Sequence, residues 1–363
     1  MPTKPIRILQ IVSSPNPSSG VRTVVTNWHR HIDTTKVQFD YLYVNQGKIA
    51  NQEDITSLGA NYYTLPNPTK SPIRFLCESY KFFKTHKYTT IHSHFTNLNF
   101  FFYPLAKLFG TKNIIQHAHL TTWSDKKLSG LRNYLMLHAV WPLITHKLAC
   151  SQAAGNAYYG KDFTVVNNGI DVEKFAYNPA VRTEKRKELG MENNFVIGHV
   201  GRFALQKNHA FLIDIFEQIC KQEPLAKLVL VGGGILEESI KNRVKAKNLQ
   251  NNVLFLGVRK DIAQLYQAFD TLCMPSLQEG LPVVGVEAQG AGLPCVFADT
   301  ITKEVLLLPN SKMIGLKDSA CVWAQTILAL KDMPRTSGTE ILCDKGFDIC
   351  QATKQMQDFY LGL

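Results

Sequence analysis

The sequence is short of several things, and each shortage removes a class of answer. It has no apolar run of about 18 residues or more, so no helix is expected to cross a bilayer. The first residues lack signal-peptide anatomy, and the stretch 5–12, Pro-Ile-Arg-Ile-Leu-Gln-Ile-Val, reads as a first strand. None of the eight cysteines forms a Cys-x-x-Cys pair. They are scattered through apolar segments and read as reduced core residues of a cytoplasmic protein. There is no RNP-type aromatic pair and no helix-turn-helix pattern, which argues against nucleic acid as a partner. Acidic residues are scarce in one half only. Residues 1–175 hold 19 Lys/Arg against 9 Asp/Glu, a net of +10, while residues 176–363 hold 21 against 20, a net of +1. That asymmetry predicts an anionic partner for the first half, and a membrane surface ranks ahead of nucleic acid.

What is present fits two α/β domains. The chain of 363 residues can bury two ordinary cores. Apolar strand-like runs at 6–13, 38–44, 61–64, 89–94, 112–118, 147–151 and 163–167 alternate with helical patterns, the first from about Val21 to His31. Such alternation predicts a parallel sheet covered on both faces. A small-residue loop ending in Ser19 and Gly20 separates the first strand from the first helix, the opening of a Rossmann-like unit. The pairs His92-Ser93-His94 and His117-Ala118-His119 follow strands, where ligands gather in open α/β sheets. No carboxylate or cysteine neighbours them at ligand spacing, so no metal is expected.

Two basic segments, 72–88 and 126–147, mix Lys and Arg with Phe, Tyr, Trp and Leu at helical spacing. Each reads either as an interfacial helix on an anionic bilayer or as a core helix with solvated charges. In the second half, strands are expected at 195–201, 225–231, 253–257 and 270–276, and a helix at 208–221. The first strand is followed by Arg202 and Lys207, two cations able to neutralise a diphosphate. The second enters Gly232-Gly233-Gly234, a turn that lets backbone approach a nucleotide, although the full G-x-G-x-x-G is absent.

The stretch 276–294, Ser-Leu-Gln-Glu-Gly-Leu-Pro-Val-Val-Gly-Val-Glu-Ala-Gln-Gly-Ala-Gly-Leu-Pro, organises the rest. Pro282 suits the first turn of a helix closing near Gly290 or Gly292. Glu279 then sits in the loop before that helix and Glu287 inside it. The N–H groups of Gly280, Leu281 and Val283 would form an anion site. A capped surface helix with an acidic first turn is the plain alternative.

The order of these residues resembles the paired-glutamate signature of retaining glycosyltransferase family 4, the group 1 glycosyltransferases with the GT-B fold. The resemblance is clearest from about 165 to 300. It extends to Asn168-Gly169-Ile170-Asp171, to Gly201-Arg202 with Lys207, and to a last helix at about 346–361. It implies two facing Rossmann-like domains with a cleft between them: an acceptor-binding domain over 1–175, a nucleotide-sugar-binding domain over 176–345, and a tail at 346–363 returning to the first.

The resemblance also implies roles. His119, a better match than His117, would approach the transferred sugar. Glu279 would contact its hydroxyls and Glu287 the ribose. Arg202 and Lys207 would stabilise the leaving diphosphate. Gly20, Gly233, Val258, Arg259, Gly280, Leu281 and Pro282 would complete the donor site. With no Asp-x-Asp motif and two basic residues in the cation's place, no divalent metal or cofactor is expected. The implied reaction is retaining transfer of a hexosyl-type sugar, by default from a UDP-sugar, to a lipid-linked or saccharide acceptor in cell-surface polysaccharide synthesis. The implied place is the cytoplasm, peripheral to the inner face of the plasma membrane. The alternatives are a nucleotide-sugar epimerase or hydrolase and a non-catalytic nucleotide-sugar-binding subunit.

Overall fold

The structure is a computed structural model that describes residues 4–13, 19–44, 53–124 and 127–363. Most of the expected loop before Gly20 (14–18) and Lys126 of the second basic segment lie outside the described residues. The chain divides into two compact units, Ile170–Asp348 and the remainder, Met1–Gly169 with Ile349–Leu363. The division falls earlier than the expected 175. Ile170 bridges Asp348 and its N–H donates to the Phe347 carbonyl at 2.8 Å, which ties the Asn-Gly-Ile-Asp segment to the second unit.

The first unit is built on seven parallel strands: β1 (Ile6–Val12), β2 (Val37–Val44), β3 (Tyr62–Leu65), β4 (Thr90–Ser93), β5 (Asn113–Ala118), β6 (His146–Ala149) and β7 (Thr164–Val165). Their order is β3-β2-β1-β4-β5-β6-β7. Ile8, Leu9, Ile11 and Val12 are all buried, as expected of a strand covered on both faces. The helix Gly20–His31 turns Val24, Val25 and Trp28 onto the sheet. The last helix, Ile349–Leu361, belongs to this unit and buries Ile349, Ala352, Thr353, Met356 and Tyr360, the stripe expected at helical period.

Two helices of this unit leave apolar surface uncovered. Pro72–Thr85 buries Phe75, Phe82 and Phe83, yet Ile73, Leu76 and Tyr80 are exposed along a second face. Leu76 and Tyr80 of this face, with Phe100, Phe101 and Pro104, line an open apolar groove of about 580 Å³. Helix Lys127–Ala139 buries only Leu137, and Leu128 is 85% exposed beside exposed Leu131 and Leu135. The core-helix reading of the two segments is therefore incomplete: both carry apolar residues in solvent. Among the described residues no helix is long and apolar enough to cross a membrane.

The second unit holds six parallel strands: β8 (Val196–Val200), β9 (Lys227–Val231), β10 (Val253–Gly257), β11 (Thr271–Met274), β12 (Cys295–Ala298) and β13 (Lys312–Ile314), in the order β10-β9-β8-β11-β12-β13. Strand order reverses between β1 and β4 in one sheet and between β8 and β11 in the other. Loops leaving the carboxyl ends of those strands diverge there and leave room for a ligand.

Candidate functional site

In the second unit the reversal gathers the cationic and acidic candidates. Gly201 and Arg202 leave β8, and Lys207 ends the short 3-10 turn Leu205–Lys207. Glu279 lies in the loop after β11. Lys207 Nζ stands 2.6 Å from Glu279 Oε1, with both side chains largely buried. Three hydrogen bonds fasten one loop to the other. Gln206 Nε2 donates to the Gln278 carbonyl at 2.7 Å, Asn208 Nδ2 donates to the Pro275 carbonyl at 3.0 Å, and the Leu277 N–H donates to the Gln206 carbonyl at 2.8 Å. Asn208 takes a left-handed conformation (φ 54°) that turns the chain into the helix His209–Gln222. Sequence reasoning missed Gln206 and Asn208, since neither residue type marks a site by itself.

The remaining candidates fall in distinct settings. Arg202 is exposed. The glycine run after β9 packs on the β8 loop, where the Phe203 N–H donates to the Gly233 carbonyl at 3.1 Å. At Gly232 (φ 140°) a Cβ would meet the Gly201 carbonyl oxygen at 2.0 Å, so only glycine allows this approach. Val258 is exposed, and a Cβ on Gly233 would meet its Cγ2 at 3.4 Å. Arg259 is held by Asp261, with two N–O distances of 2.7 Å, rather than standing open to a ligand. Its guanidinium keeps the Asp261 carboxyl well below the usual range.

The central helix is Val283–Gly290. Pro282 is its N-cap rather than a first-turn residue, so the helix begins just after the expected position. Leu281 and Pro282 are buried, and Gly292 (φ 65°) follows the helix end. Glu287 lies inside the helix, where Tyr266 Oη donates to its Oε2 at 3.0 Å and burial pushes its carboxyl up to about 7. Gly20 opens helix Gly20–His31 in the first unit and is exposed, with open space where a Cβ would stand.

The first unit holds a second cluster. Strands β4 and β5 bring His92, His94, His117 and His119 together, so the expected choice between His117 and His119 becomes a set of four. His92 Nε2 meets His117 Nδ1 at 3.1 Å, and His94 Nδ1 meets His119 Nε2 at 2.8 Å. His94 Nε2 meets Gln10 Oε1 at 3.0 Å, and His92 Nδ1 meets Tyr360 Oη at 2.6 Å. Burial lowers all four imidazole pKa values, His119 to about 4. Ligand atoms of His92, His94 and His117 lie within 4.8 Å of one another, the one group of three or more that could hold a metal among the described residues. Sequence spacing supplied the two pairs but not Gln10 or Tyr360, which topology brings in from the first strand and the last helix.

The family described as glycosyl transferases group 1 matches residues 181–308. A Bacillus subtilis protein, EpsF, that carries the name of a glycosyltransferase is 34% identical over 374 residues, covering 98% of this chain and 96% of its own. The Escherichia coli UDP-Gal:alpha-D-GlcNAc-diphosphoundecaprenol alpha-1,3-galactosyltransferase is 29% identical over 313 residues, 80% of either chain. Among solved structures, HepE of Anabaena in complex with UDP-glucose superposes with a TM-score of 0.82 at 20% identity, covering 99% of this chain and 100% of HepE. At that identity the match speaks for the fold, two parallel-sheet α/β domains.

Proposed function

The chain belongs to the group 1 glycosyltransferases and is a sugar-transferring enzyme, and from that premise we propose retaining transfer from a UDP-sugar to a lipid-linked acceptor in cell-surface polysaccharide synthesis. The observation that carries the reading is the Lys207–Glu279 pair, fastened at the strand-order reversal beside Arg202. Lys207 can swing from one anion, the carboxylate, to another, the diphosphate, while Glu279 turns to sugar hydroxyls. Arg202, exposed at the same strand tip, adds a second cation against the charge that grows on the leaving group, an electrostatic stabilisation that draws on no metal. Glu287 would bind the ribose, and the backbone at Gly280 and Leu281, before the helix N-terminus, would meet phosphate. Gly20, Gly233, Val258 and Arg259 would border the donor.

The acceptor reading rests on the first domain. Its exposed Ile73, Leu76 and Tyr80 sit among Lys81, Lys84 and Lys87, a combination suited to an anionic bilayer surface. The E. coli relative is named for a polyprenyl-diphosphate acceptor, which has the same two chemical halves. His119 would face the transferred sugar.

The test is a transfer assay with UDP-, GDP-, ADP- and TDP-sugars, a polyprenyl-diphosphate saccharide acceptor and EDTA. The expected outcome is UDP-sugar turnover that needs the acceptor, resists EDTA and yields a product with the donor's anomeric configuration. Turnover at full rate without acceptor would replace this reading with a hydrolase or epimerase.

A further inference from the structure

The four histidines are joined in a way that fixes where each proton sits. His92 and His117 are buried, His94 and His119 half-buried, and all four are held neutral, so each imidazole has one N–H and one lone pair. His92 and His117 lie 12° from coplanar, with ring centroids 5.2 Å apart for an N–N separation of 3.1 Å. Those values describe two rings meeting in line through N–H and lone pair. His94 and His119 also meet nitrogen to nitrogen, with centroids 5.0 Å apart, an N–N separation of 2.8 Å and a 37° tilt between the rings. The two pairs then lie face to face, His92 on His94 and His117 on His119, each with centroids 4.4 Å apart. Nitrogens that share protons in line are not arranged around a common ion.

Gln10 closes the array. Its amide offers one acceptor and one donor type, and each faces a different branch. Oε1 can only accept, so His94 carries its proton on Nε2. His94 Nδ1 is then a lone pair, and His119 donates to it from Nε2. On the other side Gln10 Nε2 donates to Tyr360 Oη at 2.9 Å, so the phenol hydrogen passes to His92 Nδ1. His92 then donates from Nε2 to His117 Nδ1, which leaves the His117 proton on Nε2. That nitrogen is buried and meets no partner among the described residues.

We propose that Gln10 sets the direction of this hydrogen-bonded circuit, and that Gln10 and His94 are positioning residues holding His119 as the Nε2–H tautomer. Its Nδ1 is thereby kept as an acceptor, while the neighbouring His117 ring offers an N–H. An acceptor on half-buried His119 suits a sugar hydroxyl, which can donate to it. This use of the circuit rests on the reading of His119 as the histidine that meets the transferred sugar. The tautomers themselves do not.

The experiment separates the two. In full-length protein carrying nitrogen-labelled histidine, long-range nitrogen–hydrogen spectra report which nitrogen bears the proton. All four rings are expected as Nε2–H. Replacing the amide by a carboxylate, Gln10→Glu, leaves only acceptors. Tyr360 must then donate to residue 10, and His92 and His117 are expected to switch to Nδ1–H while His94 and His119 keep their state. Any of the four as Nδ1–H in the wild type, or no switch at His92 and His117 in Gln10→Glu, would overturn the circuit. So would shifts of the His92 and His117 nitrogens on adding one equivalent of zinc alone, which would mark a metal site instead. For transfer, His94→Leu is expected to lower kcat about tenfold with donor KM little changed, and His94→Gln, which restores an acceptor and a donor, to recover most of it. Full activity in His94→Leu alongside the expected tautomers would leave the circuit standing and remove His119 from the sugar.

Discussion

The histidine cluster of the first domain is neutral and shares protons in one circuit, although Arg7 pairs with buried Asp40 elsewhere in that domain, while the site of the second domain sets ions against each other. Lys207 faces Glu279, Arg182 and Arg186 face Asp270, and Arg243 with Lys247 faces Asp214. The first domain instead leaves many cations on its surface: Lys81, Lys84 and Lys87 enter no ion pair among the described residues. The difference teaches how two sheets of the same design can be given different tasks. Paired ions can be re-partnered by an incoming diphosphate, whereas neutral imidazoles can only exchange hydrogen bonds with hydroxyls. Unpaired surface lysines remain available to a large anionic surface.

The sharpest way to break this contrast is Lys207→Ala. It removes the re-partnering cation, and kcat is expected to fall by roughly 100- to 1,000-fold. Transfer kinetics at saturating donor check this, and near-wild-type turnover would detach the pair from the leaving group. Next comes the surface. Replacing Lys81, Lys84 and Lys87 by Glu removes about 1 kcal/mol of attraction per lysine, so binding to phosphatidylserine vesicles should weaken about 100-fold or more. Sedimentation with vesicles measures it, and unchanged binding would leave the exposed apolar faces without an anionic partner.

Two smaller effects sharpen the contrast through pH. Buried neutral histidines, His119 in one domain and His199 in the other, are held at about 4 against an ordinary 6.5. The unfolded chain takes up protons first, so their contribution is present above about 6.5 and is lost as pH falls toward about 4. Thermal melts should therefore drop steadily from pH 6.5 to pH 5, and a flat profile would contradict the burial. Glu287 runs the other way. Its folded carboxyl is raised to about 7 from 4.5, so stability it contributes when protonated is lost as pH rises through that window. Glu287→Gln should gain in melting temperature relative to the wild type between pH 5 and pH 8, by a few degrees at most. A difference that does not change with pH would refute the raised value.

Much of the frame was legible because parallel strands buried on both faces read as apolar runs, and a strand's carboxyl end can be named from its run alone. Lys207 and the histidine pairs were placed at strand ends that way, whereas Glu279 came from the helix-start pattern and the paired-glutamate signature. What was not legible depends on partners far off in sequence. Gln206 and Asn208 matter through carbonyls of the loop after β11. Arg259 entered the donor site through the resemblance alone, and its hold on Asp261 shows only in the fold. The choice between His117 and His119 could not be settled by spacing, since the structure wires both pairs through Gln10 and Tyr360. Pro282 was placed one position late in its role because an N-cap and a first-turn proline look alike in a pattern.

The last helix has a consequence for synthesis. The first domain is made first but finished last: Gln357 accepts from the Asp33 N–H, and Tyr360 closes on Phe39 and His92, only after the whole second domain has left the ribosome. A domain that emerges early would ordinarily fold early. Here the nascent sheet must wait with Phe39 and His92 unmet by Tyr360, and any product cut short before residue 349 leaves them so. Completion of the first domain's core thus waits on synthesis of the helix Ile349–Leu361.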